Sequence, residues 1–142
     1  MNYVVVDASV ALKWALDDED HVQQAVALRD AALREGRFRM LAPSLWAYEI
    51  ANGLVVAARR GRIDAATGEA ALRYILALGV RLVDPRPVDV YREAERWHLS
   101  AYDAAYLALA RAVEGVVWTG DRRFYQALRS RTSLVRWIGE FA

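Results

Sequence analysis

Short apolar runs alternate along the chain with longer stretches of helical periodicity. The runs at 3–6, 38–42, 80–83 and 116–119 have no regular polar alternation, which is typical of strands buried on both faces of a sheet. The stretches between them repeat apolar residues three and four positions apart, which predicts helices. Strands that alternate with helices predict an α/β fold, a three-layer α/β/α sandwich with a central parallel sheet.

Capping residues, among them Asp64 and Ser100, together with glycines and prolines set the boundaries of the predicted helices. The predicted helices cover 8–16, 21–35, 44–59, 64–78, 87–97, 101–113 and 122–129, and 134–135 is a candidate short edge strand. No internal repeat or linker interrupts this pattern, so residues 1–142 are expected to form one domain.

Composition narrows the function classes. The chain has no cysteine, which excludes disulfides, thiolate metal sites and a cysteine nucleophile and is typical of a reducing cytoplasm. No apolar run approaches the roughly 18 residues of a membrane span, and we see no secretory signal. We therefore expect a cytoplasmic protein without membrane association.

The net charge is +1, and Lys13 is the only lysine, so nearly all basic residues are arginines. This arginine bias suits phosphate contacts, although genome composition explains it at least as well.

Four carboxylates lie in or next to segments that are otherwise apolar and are predicted to be buried. Asp7 and Asp121 directly follow apolar strands, while Glu49 and Asp103 lie on helices that are apolar nearly all round. N-capping is an alternative explanation for Asp7, Asp103 and Asp121. It does not explain Glu49, because an unpaired carboxylate on a buried helix is costly and needs a cation or a proton.

The predicted topology brings these acids towards one edge of the sheet. The carboxyl ends of parallel strands and the N-termini of the following helices share that edge. If the acids meet there, mutual repulsion raises their pKa values or demands a cation. The two histidines, at 21 and 98, lie in ordinary helical contexts, so the ligands are oxygens, which suit Mg²⁺ or Mn²⁺. Ser9, Asn52 and Thr119 are natural donors for orienting the neighbouring carboxylates.

Two further features receive structural interpretations. The acidic run 17–20 lacks the ligand spacing of a calcium loop and is interpreted as a solvated start of the next helix. The aromatic residues Trp14, Trp46 and Tyr48 are expected in the core rather than on a partner-binding surface.

Four segments follow one another along the chain: Val5-Val6-Asp7-Ala8-Ser9, Glu49-Ile50-Ala51-Asn52, the stretch 102–110 (YDAAYLALA) and Thr119-Gly120-Asp121-Arg122-Arg123-Phe124. In this order they resemble the PIN-domain family, and specifically the VapC-type toxin ribonucleases of toxin–antitoxin pairs. The resemblance covers almost the whole chain and implies the same sandwich fold. It also implies an acidic metal-binding set of Asp7, Glu49, Asp103 and Asp121, with Ser9, Asn52 and Thr119 as polar companions.

The activity implied by the resemblance is hydrolysis of RNA phosphodiester bonds assisted by one or two Mg²⁺ or Mn²⁺ ions, leaving 5′-phosphate and 3′-hydroxyl ends. Asp7 and Asp103 would be the firmest ligands, Glu49 would ligate or position water, and Asp121 would act through water. The resemblance also implies a homodimer inhibited by a cognate antitoxin. Single-stranded or looped RNA is the expected substrate, since its backbone can enter a crevice that a duplex cannot.

Five arginines are candidate phosphate contacts, although a solvated surface explains each equally well. They are Arg59, Arg60, Arg62, Arg122 and Arg123.

Other families with an aspartate after the first strand fit poorly. A haloacid-dehalogenase-type phosphatase needs a second aspartate where this chain has Ser9, and both it and a receiver domain need a later lysine. A Walker-type nucleotide site needs a glycine-rich loop that is absent from the sequence. The alternative from another class is a catalytically silent module of the same fold that binds RNA or a partner protein.

Overall fold

The computed structural model describes residues 2–142, which contain five parallel strands. The strands are β1 (Tyr3–Val6), β2 (Arg39–Ala42), β3 (Arg81–Leu82), β4 (Val116–Thr119) and β5 (Val135–Trp137). They form one sheet in the order β3–β2–β1–β4–β5. β1 lies at the centre with a parallel neighbour on each side, as its uninterrupted apolar run predicts.

Seven α-helices connect the strands within the described part of the chain. They are α1 (Ala8–Ala11), α2 (Val22–Leu33), α3 (Leu45–Arg59), α4 (Ala65–Leu76), α5 (Pro87–Trp97), α6 (Ala101–Ala112) and α7 (Arg122–Leu128). With the sheet they form the predicted α/β/α sandwich, so the predicted fold class is confirmed. None of the helices described between residues 2 and 142 is both long enough and apolar enough to cross a membrane.

The segment between β1 and α2 departs from its prediction. The expected helix 8–16 is instead a single turn, α1, followed by a 3₁₀ turn at Leu12–Trp14. This change of winding buries Lys13 as well as Trp14, whose indole N–H donates to the Ala25 carbonyl at 2.9 Å. α2 begins only at Val22, because the preceding residue has a left-handed backbone.

The acidic run 17–20 is a turn rather than the start of a helix. Its acids bind the guanidinium of Arg62, which donates to Asp18 at 2.6 and 2.9 Å and to Glu19 at 2.8 Å. The run therefore attaches this loop to the turn between α3 and α4, and its interpretation as a solvated helix start is wrong.

The core confirms two of the three aromatic assignments. Trp14 and Trp46 are buried, but Tyr48 is 77% exposed, so its assignment to the core is wrong. The helix that carries Tyr48 is apolar on most sides, so its sequence does not indicate which side faces the sheet.

Gly115 allows β4 to begin directly against β1. A Cβ at this position would lie 2.4 Å from the carbonyl oxygen of Tyr3, a backbone atom of β1. Gly115→Ala is therefore expected to lower the free energy of unfolding by about 3 kcal/mol, because the two central strands must separate to admit the methyl group. Urea titration followed by circular dichroism measures this.

Gly68→Ala is the matched control for that substitution. The nearest side-chain atom to a Cβ at Gly68, in the middle of α4, is Ile63 Cδ1 at 3.4 Å, which is ordinary contact. Alanine is the better helix former, so this variant should match or exceed the parent in stability. Equal losses in the two variants would contradict the steric explanation for Gly115.

Candidate active site

Asp7 directly follows β1 and is held by two hydroxyl groups. Its Oδ2 accepts hydrogen bonds from Ser9 Oγ and Thr119 Oγ1, both at 2.7 Å. It makes no side-chain cap to α1, so N-capping does not account for this carboxylate. Because the two donors approach from different segments, they fix the orientation of the carboxylate.

The same two hydroxyls link Asp7 to the loop after β4. Ser9 Oγ accepts the N–H of Gly120 at 2.8 Å, and Thr119 Oγ1 accepts the N–H of Asp121 at 2.9 Å. Each hydroxyl that accepts a backbone N–H has its own proton left for Asp7. The network thereby sets the position of Asp121 relative to Asp7.

Asp121 is the N-cap of α7, as the sequence allows. Its Oδ1 accepts the N–H groups of Arg123 and Phe124 at 3.0 and 3.2 Å. Within residues 2–142, its Oδ2 has no hydrogen-bond partner. Capping therefore uses one oxygen of this carboxylate and leaves the other for a ligand.

Asp103 lies in the first turn of α6. Its backbone N–H donates to Ser100 Oγ at 3.1 Å, which confirms Ser100 as the predicted N-cap. The Ser100 hydroxyl also lies near enough to the Asp103 carboxyl to lower its pKa slightly against the larger effect of burial. The local sequence thus uses Ser100, rather than the Asp103 side chain, to begin the helix.

Glu49 on α3 has a hydroxyl partner instead of a cation. Tyr106 on α6 donates to Glu49 Oε1 at 2.6 Å, and its ring is buried. Sequence reasoning missed Tyr106. Its position three residues after Asp103 was the available signal, because that spacing puts both side chains on one face of α6.

Three of the carboxyl groups, those of Asp7, Glu49 and Asp103, have a pKa raised in part by the charge of neighbouring acids. Burial raises the pKa of Asp7 more than the two hydroxyls lower it, and Asp121 and Asp103 raise it further. Burial is also the main cause of the raised pKa of Glu49, to which Asp7, Asp103 and Asp121 add. For Asp103, burial and the charge of Asp121 raise the pKa, while the charge of Arg123 opposes them. The acids therefore share one electrostatic environment at the carboxyl edge of the sheet.

The chemistry of this donor set fits a divalent cation. Asp7 keeps some accessible surface, but protein atoms surround its carboxyl group, so its negative charge is poorly solvated. A hard cation would relieve both the burial cost and the repulsion, and four carboxylates are the ligands that Mg²⁺ and Mn²⁺ prefer. Within residues 2–142, no three acidic or histidine side chains are already arranged around a single point as in a formed metal site.

Three of the candidate phosphate contacts lie at the end of α3. Arg59 and Arg60 are exposed there. Arg62 is held by Asp18 and Glu19, and this pairing keeps the pKa of its guanidinium well above the usual range. Arg62 is therefore already engaged within the chain.

The other two arginines flank the site on α7. Arg122 lies over the ring of Trp137, at 5.1 Å from its centroid. Arg123 is exposed and close enough to Asp103 to lower the pKa of that carboxyl. Of the polar companions, Asn52 is exposed and makes no hydrogen bond to a described residue, unlike Ser9 and Thr119.

Comparisons with known proteins agree on the family. The family model described as PIN domain matches residues 4–128. The chain is 37% identical over 120 residues to VapC ribonuclease Mb0985 of Mycobacterium bovis and to ribonuclease VapC9 of Mycobacterium tuberculosis. These matches cover 84% of this chain and 87% of each relative.

A solved structure gives the same result for the fold. The crystal structure of PAE2754 from Pyrobaculum aerophilum is similar with a TM-score of 0.72 at 27% identity, over 96% of this chain and 90% of that chain. The extent of these matches, together with the four acids in their expected order, shows that this chain belongs to the PIN-domain family and is of the VapC type.

Proposed function

We propose that this chain is a metal-dependent endoribonuclease, a single nuclease domain of residues 1–142 that acts as the toxin of a toxin–antitoxin pair in the cytoplasm. Its similarity to VapC ribonucleases supports the reaction class. The observation that carries the proposal is Asp7, a buried carboxylate fixed by two hydroxyls and within electrostatic reach of three more acids. Such a group serves no structural role that a neutral residue could not fill.

Asp7, Glu49, Asp103 and Asp121 would hold Mg²⁺ or Mn²⁺. When bound, the ion supplies an activated water and neutralises charge that develops on the phosphate. Asp7 contributes an oxygen whose direction Ser9 and Thr119 set.

Glu49 has a different role from the aspartates. The Tyr106 hydroxyl occupies its Oε1, so Oε2 is the atom that would orient a water or accept its proton. Asp121 contributes Oδ2, because its Oδ1 is used in the cap of α7.

Single-stranded RNA is the proposed substrate, with Arg123 the arginine best placed for a phosphate, because its charge already reaches Asp103. The proposal includes the partners expected of a VapC-type protein, a second copy of the chain and a cognate antitoxin. Neither is needed to complete the acid set, since all four acids come from this chain.

Metal removal tests the proposed activity. Purified protein should cut an end-labelled single-stranded RNA in Mg²⁺ or Mn²⁺ and leave 5′-phosphate ends. EDTA should slow this cutting by at least about a hundredfold, and added metal should restore it, because the ion supplies several kcal/mol of transition-state stabilisation. Cutting that persists in EDTA would contradict the proposal. RNA binding without cutting under any metal condition would favour the catalytically silent module.

A further inference from the structure

We propose that Tyr48 and Tyr102 are substrate-positioning residues, on whose exposed rings unpaired bases of the RNA stack while its backbone lies at the acids. This inference rests on the proposed ribonuclease function and adds to it how the substrate is held.

Exposure and a position beside an acid of the site together distinguish these two rings. Tyr48 is 77% exposed and Tyr102 is 69% exposed, the two highest values among large apolar side chains of residues 2–142. Each directly precedes an acid of the site, Glu49 on α3 and Asp103 on α6. Both also lie within the first four residues of their helices, the ends that carry Glu49 and Asp103.

Neither ring has a role in holding the fold. Among the contacts described for residues 2–142, neither hydroxyl forms a hydrogen bond, and neither ring packs edge-on or face-on against another ring or beneath an arginine. Tyr106 and Tyr74 differ, because Tyr106 is buried and donates to Glu49, and the hydroxyl of Tyr74 accepts from Arg29 at 3.0 Å. Tyr91 on α5 is also exposed and without such a contact to a described residue, but it does not adjoin an acid of the site. Tyr48 and Tyr102 are thus available to an external partner.

The neighbouring acids favour unpaired RNA bases as that partner. Carboxylates repel a phosphate backbone, so contacts that do not depend on charge would add to the attraction supplied by a bound ion and Arg123. Stacking of a base on an aromatic ring is such a contact, and it tolerates any sequence because every base has a flat face. It also requires that the base be unpaired, which restricts the substrate to single-stranded or looped segments.

The contribution of the two rings to RNA affinity can be measured by the fluorescence anisotropy of a fluorescein-labelled single-stranded RNA of mixed sequence. The measurement uses an Asp7→Asn background that prevents cutting. Tyr48→Leu and Tyr102→Leu should each raise Kd about tenfold. The corresponding Phe variants should stay within about twofold of the parent, because they keep the ring. Tyr74→Leu on α4 is the matched control and should leave Kd unchanged.

Two further measurements separate stacking from an indirect structural effect. The same RNA with abasic positions should bind the parent more weakly and no longer distinguish Leu from Tyr at positions 48 and 102. In the cutting-competent protein, the Leu variants should raise KM about tenfold with kcat nearly unchanged, as expected for contacts equally strong in the ground and transition states.

The possible outcomes distinguish this inference from the proposed function. Leu variants that bind RNA as tightly as their parent, in a protein that cuts RNA, would overturn the stacking role alone and would assign the two rings to a protein-binding surface. A wild-type chain that neither binds nor cuts single-stranded RNA would overturn both. Should a Leu variant fail to fold, a Phe variant that binds the abasic and intact RNA equally would overturn the stacking role.

Discussion

Asp7→Asn is expected to reduce RNA cutting by at least about a thousandfold while raising the stability of the metal-free protein. Activity falls because the amide replaces a charged ligand. The fold is kept because the amide oxygen can still accept the hydrogen bonds that Ser9 and Thr119 both donate to Asp7 Oδ2 in the wild-type chain. Stability rises because the variant lacks a buried charge that Asp121 and Asp103 repel. We expect a gain of about 1 kcal/mol, or roughly 3 °C in Tm.

The stability gain should depend on pH in a defined direction. The folded-state pKa of Asp7 is raised, so its contribution to wild-type stability is fully present below the unfolded-state pKa and is lost as pH rises through the folded-state value. The advantage of Asp7→Asn should therefore be largest at neutral pH and disappear in acid. Added Mg²⁺ should also reduce it, because the ion stabilises only the protein that binds it.

Initial cutting rates in Mg²⁺ and melting temperatures in EDTA measure both effects. Glu69→Gln is the control, since it removes the same charge from an exposed carboxylate on α4 that pairs with Arg73 at 3.1 Å. It should leave the rate unchanged and the free energy of unfolding within about 0.5 kcal/mol. An Asp7→Asn protein as active as wild type would refute the ligand role. An inactive but less stable one would mean that the carboxylate holds the fold.

Local signals made most of the fold predictable. The run Tyr3–Val6 lacks polar alternation, and only a strand with neighbours on both sides and helices on both faces accommodates it. Ser100, Asp64 and Asp121 cap the helices that follow them, as their side chains and positions predict. These features depend on a few consecutive residues, and for that reason one sequence suffices to find them.

That the four acids lie near one another was predictable for a related reason, since strand ends and helix N-termini meet at one edge of a parallel sheet wherever they lie in the chain. The individual side-chain contacts of these acids could not be predicted from the sequence. Tyr106 reaches Glu49 from 57 positions away, and the sequence could only say that this carboxylate needed a partner. Likewise, a helix apolar on most sides does not reveal which side faces outwards, and Tyr48 was assigned to the core although it lies in solvent.

The second large expected effect is a loss of stability at Glu93, which lies outside the candidate active site. It is 5% exposed on α5 and accepts from Arg111 of α6 and from the indole N–H of Trp97, the latter at 2.8 Å. Arg111→Met is expected to lower the free energy of unfolding by about 3 kcal/mol, because it keeps the packing of the stem but leaves a buried carboxylate without its cation. The value lies at the lower end of the range for buried pairs, since Arg111 itself is 44% exposed and water can partly replace it.

Urea titration of a double variant tests whether the unpaired charge causes that loss. Glu93→Leu combined with Arg111→Met removes both charges, and it should recover most of the stability that Arg111→Met alone loses. The stability of Arg111→Lys should lie between those of Arg111→Met and wild type, because an ammonium restores the charge without the planar pair of donors. A single variant as stable as wild type would show that water satisfies Glu93 and that the pair does little to join α5 to α6. Recovery in the double variant would instead show that the loss in Arg111→Met comes from the buried Glu93 carboxylate left without its cation.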